Sequence, residues 1–297
     1  MKVLIVGFGS IGKRHMKNLL AIANCEIIIL SKRKDIKPYK HKKVKFFNSL
    51  EKCLLEMPEI AFITNETAFH ISISKKLAKL GLDLFIEKPL SNKMEGVKEL
   101  SKIVEKNKII TQMGCNLRFH HCIEKIKLLI KQKTIGRIIS VRVECGSFLP
   151  SWHPQEDYTK GYSARDDLGG GVVLTCIHEI DYLYWFFGKV KEVFSITGKF
   201  SDLKIKTDDL SVIILKFKNN IIAEVHLDYF QKPDFRSCKI IGSKGTIYWD
   251  SVDNEVKTFS PKKEKWVRKL KIKNYDKNKE YIDELNHFLK CVMKRKQ

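Results

Sequence analysis

Residues 7–15 read GFGSIGKRH, directly after the apolar opening run MKVLIV. Gly7-x-Gly9-x-x-Gly12 therefore sits between a strand pattern and the helical pattern Ile11–Ala23. In that setting each glycine has its own task. Gly7 permits the tight turn, Gly9 lets a pyrophosphate approach the backbone, and Gly12 lets helix and strand pack closely. The first helical amides, at Ser10 and Ile11, and the helix dipole then favour phosphate charge. A turn with no ligand explains the glycines alone. It does not explain the strand and helix alternation that follows, so a dinucleotide is the expected ligand.

Strand patterns recur at Val3–Val6, Glu26–Leu30, Ile60–Ile63, Leu84–Ile86 and Ile109–Met113. Helical patterns lie between them, at Ile11–Ala23, Ser49–Leu55, Ala68–Leu80 and Lys93–Lys106. This predicts an α/β domain, a doubly wound parallel sheet of Rossmann type, over residues 1–119. Beyond residue 120 the pattern changes to a helix at His121–Lys131, a long strand at Arg137–Phe148 and an apolar helix at Val172–Phe187 ended by Gly188. Strands dominate from Val190, and Ala223–Tyr229 alternates strictly, as in a sheet with one wet face. Residues 120–297 are read as a second, α+β domain. Tyr281–Val292 closes the chain as an amphipathic helix with Ile282, Leu285, Phe288 and Leu289 on one stripe.

A length of 297 residues suits two domains, and 43% hydrophobic with 10% aromatic residues is a globular composition. No run approaches the roughly 20 apolar residues that span a bilayer, and the N-terminus lacks the cleavage-site pattern of a signal peptide. The eight cysteines form no Cys-x-x-Cys pair and sit mostly in apolar runs, which points to a reduced, cytoplasmic protein with no metal site. The formal charge of +22 comes mostly from lysine spread through every segment. With no basic stripe interleaved with aromatics it argues against a nucleic-acid partner. It still supplies a field that draws anionic ligands.

In a doubly wound sheet the reactive end of a dinucleotide lies across the carboxyl edge. Strand ends there supply Thr64-Asn65, Glu87-Lys88-Pro89 and Gly114-Cys115-Asn116. Pro89 biases Lys88 away from helical angles, and a lysine there can hold an alkoxide or carbonyl oxygen. Alone, Glu-Lys-Pro is more often an ordinary surface turn. Gly169-Gly170-Gly171 lets the chain pass close to a ligand or another backbone, ahead of a helix bearing His178 and Asp181. Alone, His178 is more often a satisfied core histidine.

Taken in order, GFGSIGKRH (7–15), ITNETAFH (63–70), FIEKPLS (85–91), MGCNLRFH (113–120), LGGGVVLTCIHEIDYLYWFFG (168–188) and IIGSKGTIYWD (240–250) resemble the glucose-fructose oxidoreductase / inositol dehydrogenase / rhizopine catabolism (Gfo/Idh/MocA) family. Residues 151–171 resemble its branch in bacterial surface-sugar and sialic-acid-like pathways. The resemblance implies an NAD(P)-dependent sugar oxidoreductase. Its fold would be a Rossmann domain followed by a domain with a large, mostly antiparallel sheet that often forms homo-oligomer contacts. The family's catalytic lysine falls on Lys88 and its histidine on His178. Thr64, Asn65, His70, Glu87, Lys88 and Asn116 fall in its cofactor set, and Arg118, Lys160, Tyr162, Arg165, Thr175 and His178 in segments that face substrate. Many relatives have an aspartate three or four residues before the histidine, where this chain has Leu174 and Thr175. Many also carry one more C-terminal helix packed on the first domain, expected here to be absent or shortened.

The reading is reversible oxidation of a secondary hydroxyl of a sugar or nucleotide-sugar, with His178 as base and Lys88 holding the oxygen. The alternative is a dinucleotide-bound partner or sensor without turnover. The second strand ends in Ser31-Lys32-Arg33-Lys34, with Asp35 several residues late. A carboxylate for the ribose 2′-hydroxyl is thus missing from the strand tip, so NADP is expected over NAD.

Overall fold

The apolar opening run forms β1 (Lys2–Val6), whose Val3, Leu4 and Ile5 are fully buried. It is the hub of the first sheet in this computed structural model, which describes residues 1–33, 36–39 and 41–296. There follow α1 (Ser10–Ile22), β2 (Glu26–Leu30), β3 (Val44–Phe47), α2 (Leu50–Leu55), β4 (Ile60–Ile63), α3 (His70–Lys79), β5 (Asp83–Glu87), α4 (Val97–Asn107) and β6 (Thr111–Gly114). The strand order is β3-β2-β1-β4-β5-β6, and every pairing is parallel. Parallel strands covered by helices on both faces need apolar side chains at every position. β4 (IAFI) and β5 (DLFIE) are accordingly buried throughout. The order reverses between β1 and β4, which opens a crevice at the carboxyl ends of those strands. β3 escaped the sequence reading because Lys45 interrupts its four paired residues and Lys42 and Lys43 precede them.

The second unit contains α5 (His121–Lys131), β7 (Ile138–Gly146), α6 (Val172–Thr175), α7 (His178–Phe187), β8 (Val190–Gly198), β9 (Leu210–Phe217), β10 (Ile222–Asp228), β11 (Phe235–Gly242), β12 (Gly245–Asp250), β13 (Glu255–Ser260) and β14 (Lys265–Lys271). Its eight strands run in the order β14-β13-β12-β11-β7-β10-β9-β8. Only β7 and β10 pair in parallel. Alternate residues point to one face, so Val141, Val143, Ala223, Val225, Ile213 and Leu215 enter one core with Tyr182 and Leu183 of α7. The α/β class and the mostly antiparallel second sheet thus agree with the sequence.

Two expectations change. The helix expected over Val172–Phe187 is broken at Cys176, whose angles (φ −94°, ψ 34°) are not helical. The stretch before the break carries Val172, Val173 and Thr175, β-branched residues that lose side-chain freedom in a helix. His178 consequently opens a helix of its own. The closing helix, α8 (Asn278–Lys294), groups with the first unit, which comprises Met1–Cys115 and Asn278–Gln297, against Asn116–Lys277 for the second. The expected division at 119/120 differs because Leu285, Phe288 and Leu289 bury against Phe62 and Phe85 of the first sheet. The helix read over Tyr281–Val292 thus packs on the first unit and not on the second, where the sequence reading places it.

His120 caps α5, its Nδ1 accepting the amide of Cys122 at 3.1 Å. Burial first, then the positive charges of Arg236 and His121, lower its pKa to about 4. The unfolded chain therefore takes up this proton near 6.5, where the folded protein refuses it until about 4. The stabilisation is complete above 6.5 and lost as pH falls toward 4, with a limit of about 3 kcal/mol. Urea unfolding of the wild type between pH 7 and 4.5 is expected to show this slope. His120→Asn, which keeps a capping acceptor, is expected to flatten it.

Candidate active site

The glycine loop joins β1 to α1. Gly7 has φ +93°, and a Cβ there would stand 2.6 Å from the Asn65 amide nitrogen. The loop can therefore turn against the end of β4 only with glycine. Thr64 Oγ1 lies 2.9 Å from the carbonyl oxygens of both Val6 and Gly7, tying the loop to that strand. Over Gly9 the space is open, with no described residue within 4 Å of the position a Cβ would take. Gly9 is also the N-cap of α1. It offers no side-chain acceptor, and the first helical turn holds no acidic residue. The amides of Ser10 and Ile11 are thus left to an outside acceptor, and an anion is the complementary one. Among the described residues the buried Asn65 Oδ1 has no hydrogen-bond partner. Open space over a glycine, an uncapped helix start and an orphan amide oxygen together fit a dinucleotide.

His70, at the start of α3, draws the next two strand ends together. Its Nδ1 lies 2.9 Å from the Pro89 carbonyl oxygen and its Nε2 2.9 Å from that of Asn65. Burial pushes this imidazole below its ordinary pKa, against the opposing pull of the two carbonyls. His70 thus stands as a brace between loops. Lys88 follows β5 in the same region and is half-buried. The Glu87 carboxylate turns inward and meets His15 Nε2 at 2.7 Å. At the tip of β2, Ser31 Oγ accepts the Arg33 amide at 3.1 Å, and Lys32 and Arg33 are exposed. Lys34 and Asp35 lie outside the described residues.

In the second unit the glycine run approaches backbone. A Cβ at Gly170 would stand 2.2 Å from the Tyr162 carbonyl oxygen. Asp208 holds the start of α6 through the amides of Val172 and Val173. α7 is anchored twice in its first turn. Glu179 pairs with Arg236 of β11 at 2.7 Å, and Asp181 takes a bidentate pair from Arg118 at 2.7 and 2.8 Å. Such forks fix orientation, so His178, which is 7% exposed, sits on a rigid support. Thr175 is buried, and its hydroxyl is hydrogen-bonded with the Tyr229 phenol. Burial holds that phenol well above the usual tyrosine range, so it stays protonated and faces the Ser163 carbonyl at 3.4 Å.

The structure gives each expected substrate-facing cation a carboxylate of its own. Arg118 has Asp181, Arg165 has Asp167, and Lys160 has Asp157 at 3.4 Å. Tyr162 is 38% exposed, and Asn116 is buried. Sequence reasoning missed His15, Tyr229 and the Glu179–Arg236 pair. His15 carried a signal, one helical turn beyond Gly12. The others carried none, since their partners lie far away in the chain.

The oxidoreductase family with an NAD-binding Rossmann fold (GFO/IDH/MocA) matches residues 1–115, and the GFO/IDH/MocA C-terminal domain matches residues 123–248. The chain belongs to this family. A myo-inositol 2-dehydrogenase of Thermotoga maritima is 26% identical, over 98% of this chain and 88% of that protein. Among solved structures, a levoglucosan dehydrogenase in complex with NADH superposes with a TM-score of 0.87 at 16% identity, covering 100% of this chain and 90% of that one. A UDP-N-acetylglucosamine 3-dehydrogenase of Acidithiobacillus ferrooxidans gives 0.80 at 16% identity, with the same coverage. The domain that matches residues 1–115 is an NAD-binding Rossmann fold, which supports a nicotinamide dinucleotide as the cofactor.

Proposed function

We propose that the protein moves a hydride between a nicotinamide cofactor and a secondary hydroxyl or ketone of a sugar or nucleotide-sugar, in the cytoplasm and in bacterial surface-sugar metabolism. The observation that carries this reading is Lys88 at the carboxyl end of β5, in the same sheet edge as the open glycine loop. The sugar dehydrogenases to which the chain is similar support the substrate class. The bound cofactor supplies the hydride acceptor. Lys88 holds the reacting oxygen by charge and hydrogen bond. His178 receives the hydroxyl proton, an imidazole being the one side chain ordinarily poised for this at neutral pH. Thr175 and Tyr162 orient the sugar. Arg118, Lys160 and Arg165 contribute to binding only by leaving their carboxylates.

The deciding experiment is a panel of myo-inositol, levoglucosan, UDP-N-acetylglucosamine and related sugars with NAD and NADP, followed by reduced-cofactor absorbance. Turnover with one sugar class is the expected result. Cofactor binding without turnover across the panel would favour the sensor reading, for which Leu174 and Thr175 in place of an aspartate speak.

The cofactor reading is a preference for NADP. Ser31, Lys32 and Arg33 stand at the tip of β2, and Arg33 suits phosphate oxygens with its planar fork. NADP is expected to bind more tightly than NAD, and Arg33→Ala to lose about tenfold or more for NADP alone. Equal dissociation constants in the wild type would overturn this.

Self-association through the second sheet is the companion proposal. Phe194 and Ile196 of β8 and Val212 of β9 are 65%, 57% and 38% exposed. Ile196 stands opposite Val212 in the ladder, so the two form one apolar patch. Sedimentation is expected to give a homodimer or tetramer that Phe194→Glu dissociates.

A further inference from the structure

We propose that Lys232 and Phe148 form a subsite for the nucleoside diphosphate half of a nucleotide-sugar, the ammonium meeting phosphate oxygen and the ring lying against the base. This deepens the hydride-transfer reading and rests on it for the placing of Tyr162, Arg165 and Thr175 against the sugar.

Lys232 Nζ lies 3.6 Å from the centroid of the Phe148 ring. Lys232 is exposed and Phe148 is half-buried. Among the described residues no carboxylate stands within ion-pair distance of Lys232. Arg118, Lys160 and Arg165 differ, since an aspartate already holds each of them. An ammonium over an aromatic ring at the surface is held weakly. A phosphate group therefore draws it away at small cost, and the uncovered ring then offers its face to a base.

The backbone around the pair is fixed. The turn that carries Lys232 is set by buried Asp228, whose Oδ1 accepts the amides of Phe230 and Gln231 at 3.0 and 2.7 Å. Ser147 Oγ donates to Asp234 at 2.8 Å and accepts Trp152 Nε1 at 2.7 Å. Asp234, two residues beyond Lys232, is thus turned toward Ser147.

The pair also stands at one edge of the second sheet. Phe148 follows β7 and Lys232 follows β10, strands that run parallel and side by side. Trp152 meets the Tyr229 ring edge-on at 5.5 Å. The Tyr229 phenol in turn meets the Thr175 hydroxyl and the Ser163 carbonyl. Two rings therefore connect this edge to Thr175 and to the segment carrying Tyr162 and Arg165. Lys13 on Tyr39 and Lys127 on Trp185 are similar cation and ring pairs. Those lysines sit on the helices α1 and α5 and not at this strand edge.

The test is calorimetric titration of UDP into protein saturated with nicotinamide cofactor, so that the dinucleotide crevice is filled. GDP, uridine and glucose 1-phosphate are titrated in the same way. One of the two diphosphates is expected to bind about tenfold or more tighter than uridine, which lacks phosphate, and than glucose 1-phosphate, which lacks a base. Lys232→Met is expected to weaken that diphosphate about tenfold, and Phe148→Leu to do likewise. Phe148→Tyr, which keeps the ring, is expected to stay within about twofold of the wild type. Cofactor affinity is expected to be the same in all three variants. Should Phe148→Leu fail to fold, Lys232→Met and Phe148→Tyr carry the test. The proposal is overturned if neither diphosphate binds, or if Lys232→Met leaves the affinity unmoved. Glucose 1-phosphate binding as tightly as the diphosphate overturns it too, because a sugar phosphate would then be the ligand and the base would go unread. None of these titrations needs turnover. Failure of the hydride-transfer reading would appear separately, as a sugar panel with no reduced cofactor formed.

Discussion

Lys88→Met is expected to lower turnover by about 10²- to 10⁴-fold while leaving cofactor affinity largely intact. Methionine keeps the length and apolar stem of lysine but removes the ammonium. The loss then reports charge and hydrogen bonding at the reacting oxygen and not packing. Cofactor contacts made by the glycine loop do not pass through the Lys88 side chain, because Gly7 is set by Asn65 and Thr64. The expected signature is a fall in kcat with an unchanged dissociation constant for the cofactor. Turnover close to wild type with the best sugar of the panel would remove Lys88 from the mechanism.

His178→Asn is the second large effect, again about 10²- to 10⁴-fold in turnover. Asparagine can hydrogen-bond but cannot take the hydroxyl proton. A base must be deprotonated to act, so the wild-type rate of alcohol oxidation is expected to fall on the acid side of an imidazole titration. The variant is expected to lose that acid limb. The scaffold should survive, because α7 is held by Glu179 with Arg236 and by Asp181 with Arg118 rather than by residue 178. Thr175→Val provides the control. Its hydroxyl serves Tyr229 and stays protonated, so its loss is expected to cost clearly less than that of His178. Equal losses would make Thr175 part of the proton path.

Much of the site's first half was legible along the chain. GFGSIGKRH after an apolar strand specifies a loop that only glycine can make, because the constraint is local. Gly7 needs its left-handed angle, and Gly9 leaves open space at the start of α1. The apolar runs at residues 60–63 and 84–86 announced strands covered on both faces for the same local reason.

Other assignments rested on long-range partners. Arg118 is a cation by sequence, and only the fold shows that Asp181, 63 residues away, already claims it. The hold of Asp208 on the start of α6 spans 35 residues and is visible only in the fold. α8 reads as an amphipathic helix from its own periodicity. Its apolar stripe does not say which core it enters, and Phe62 and Phe85 of the first unit decide that. His15 shows the division most clearly. Its place one turn beyond Gly12 is written in the sequence. Its pairing with Glu87, 72 residues on, exists only because a parallel sheet brings the end of β5 beside the helix that follows β1. Periodicity and glycine spacing determine what a segment can be, since they act over one turn or one strand. The partner of a buried charge is chosen by desolvation, which is felt only when the whole domain has closed around it.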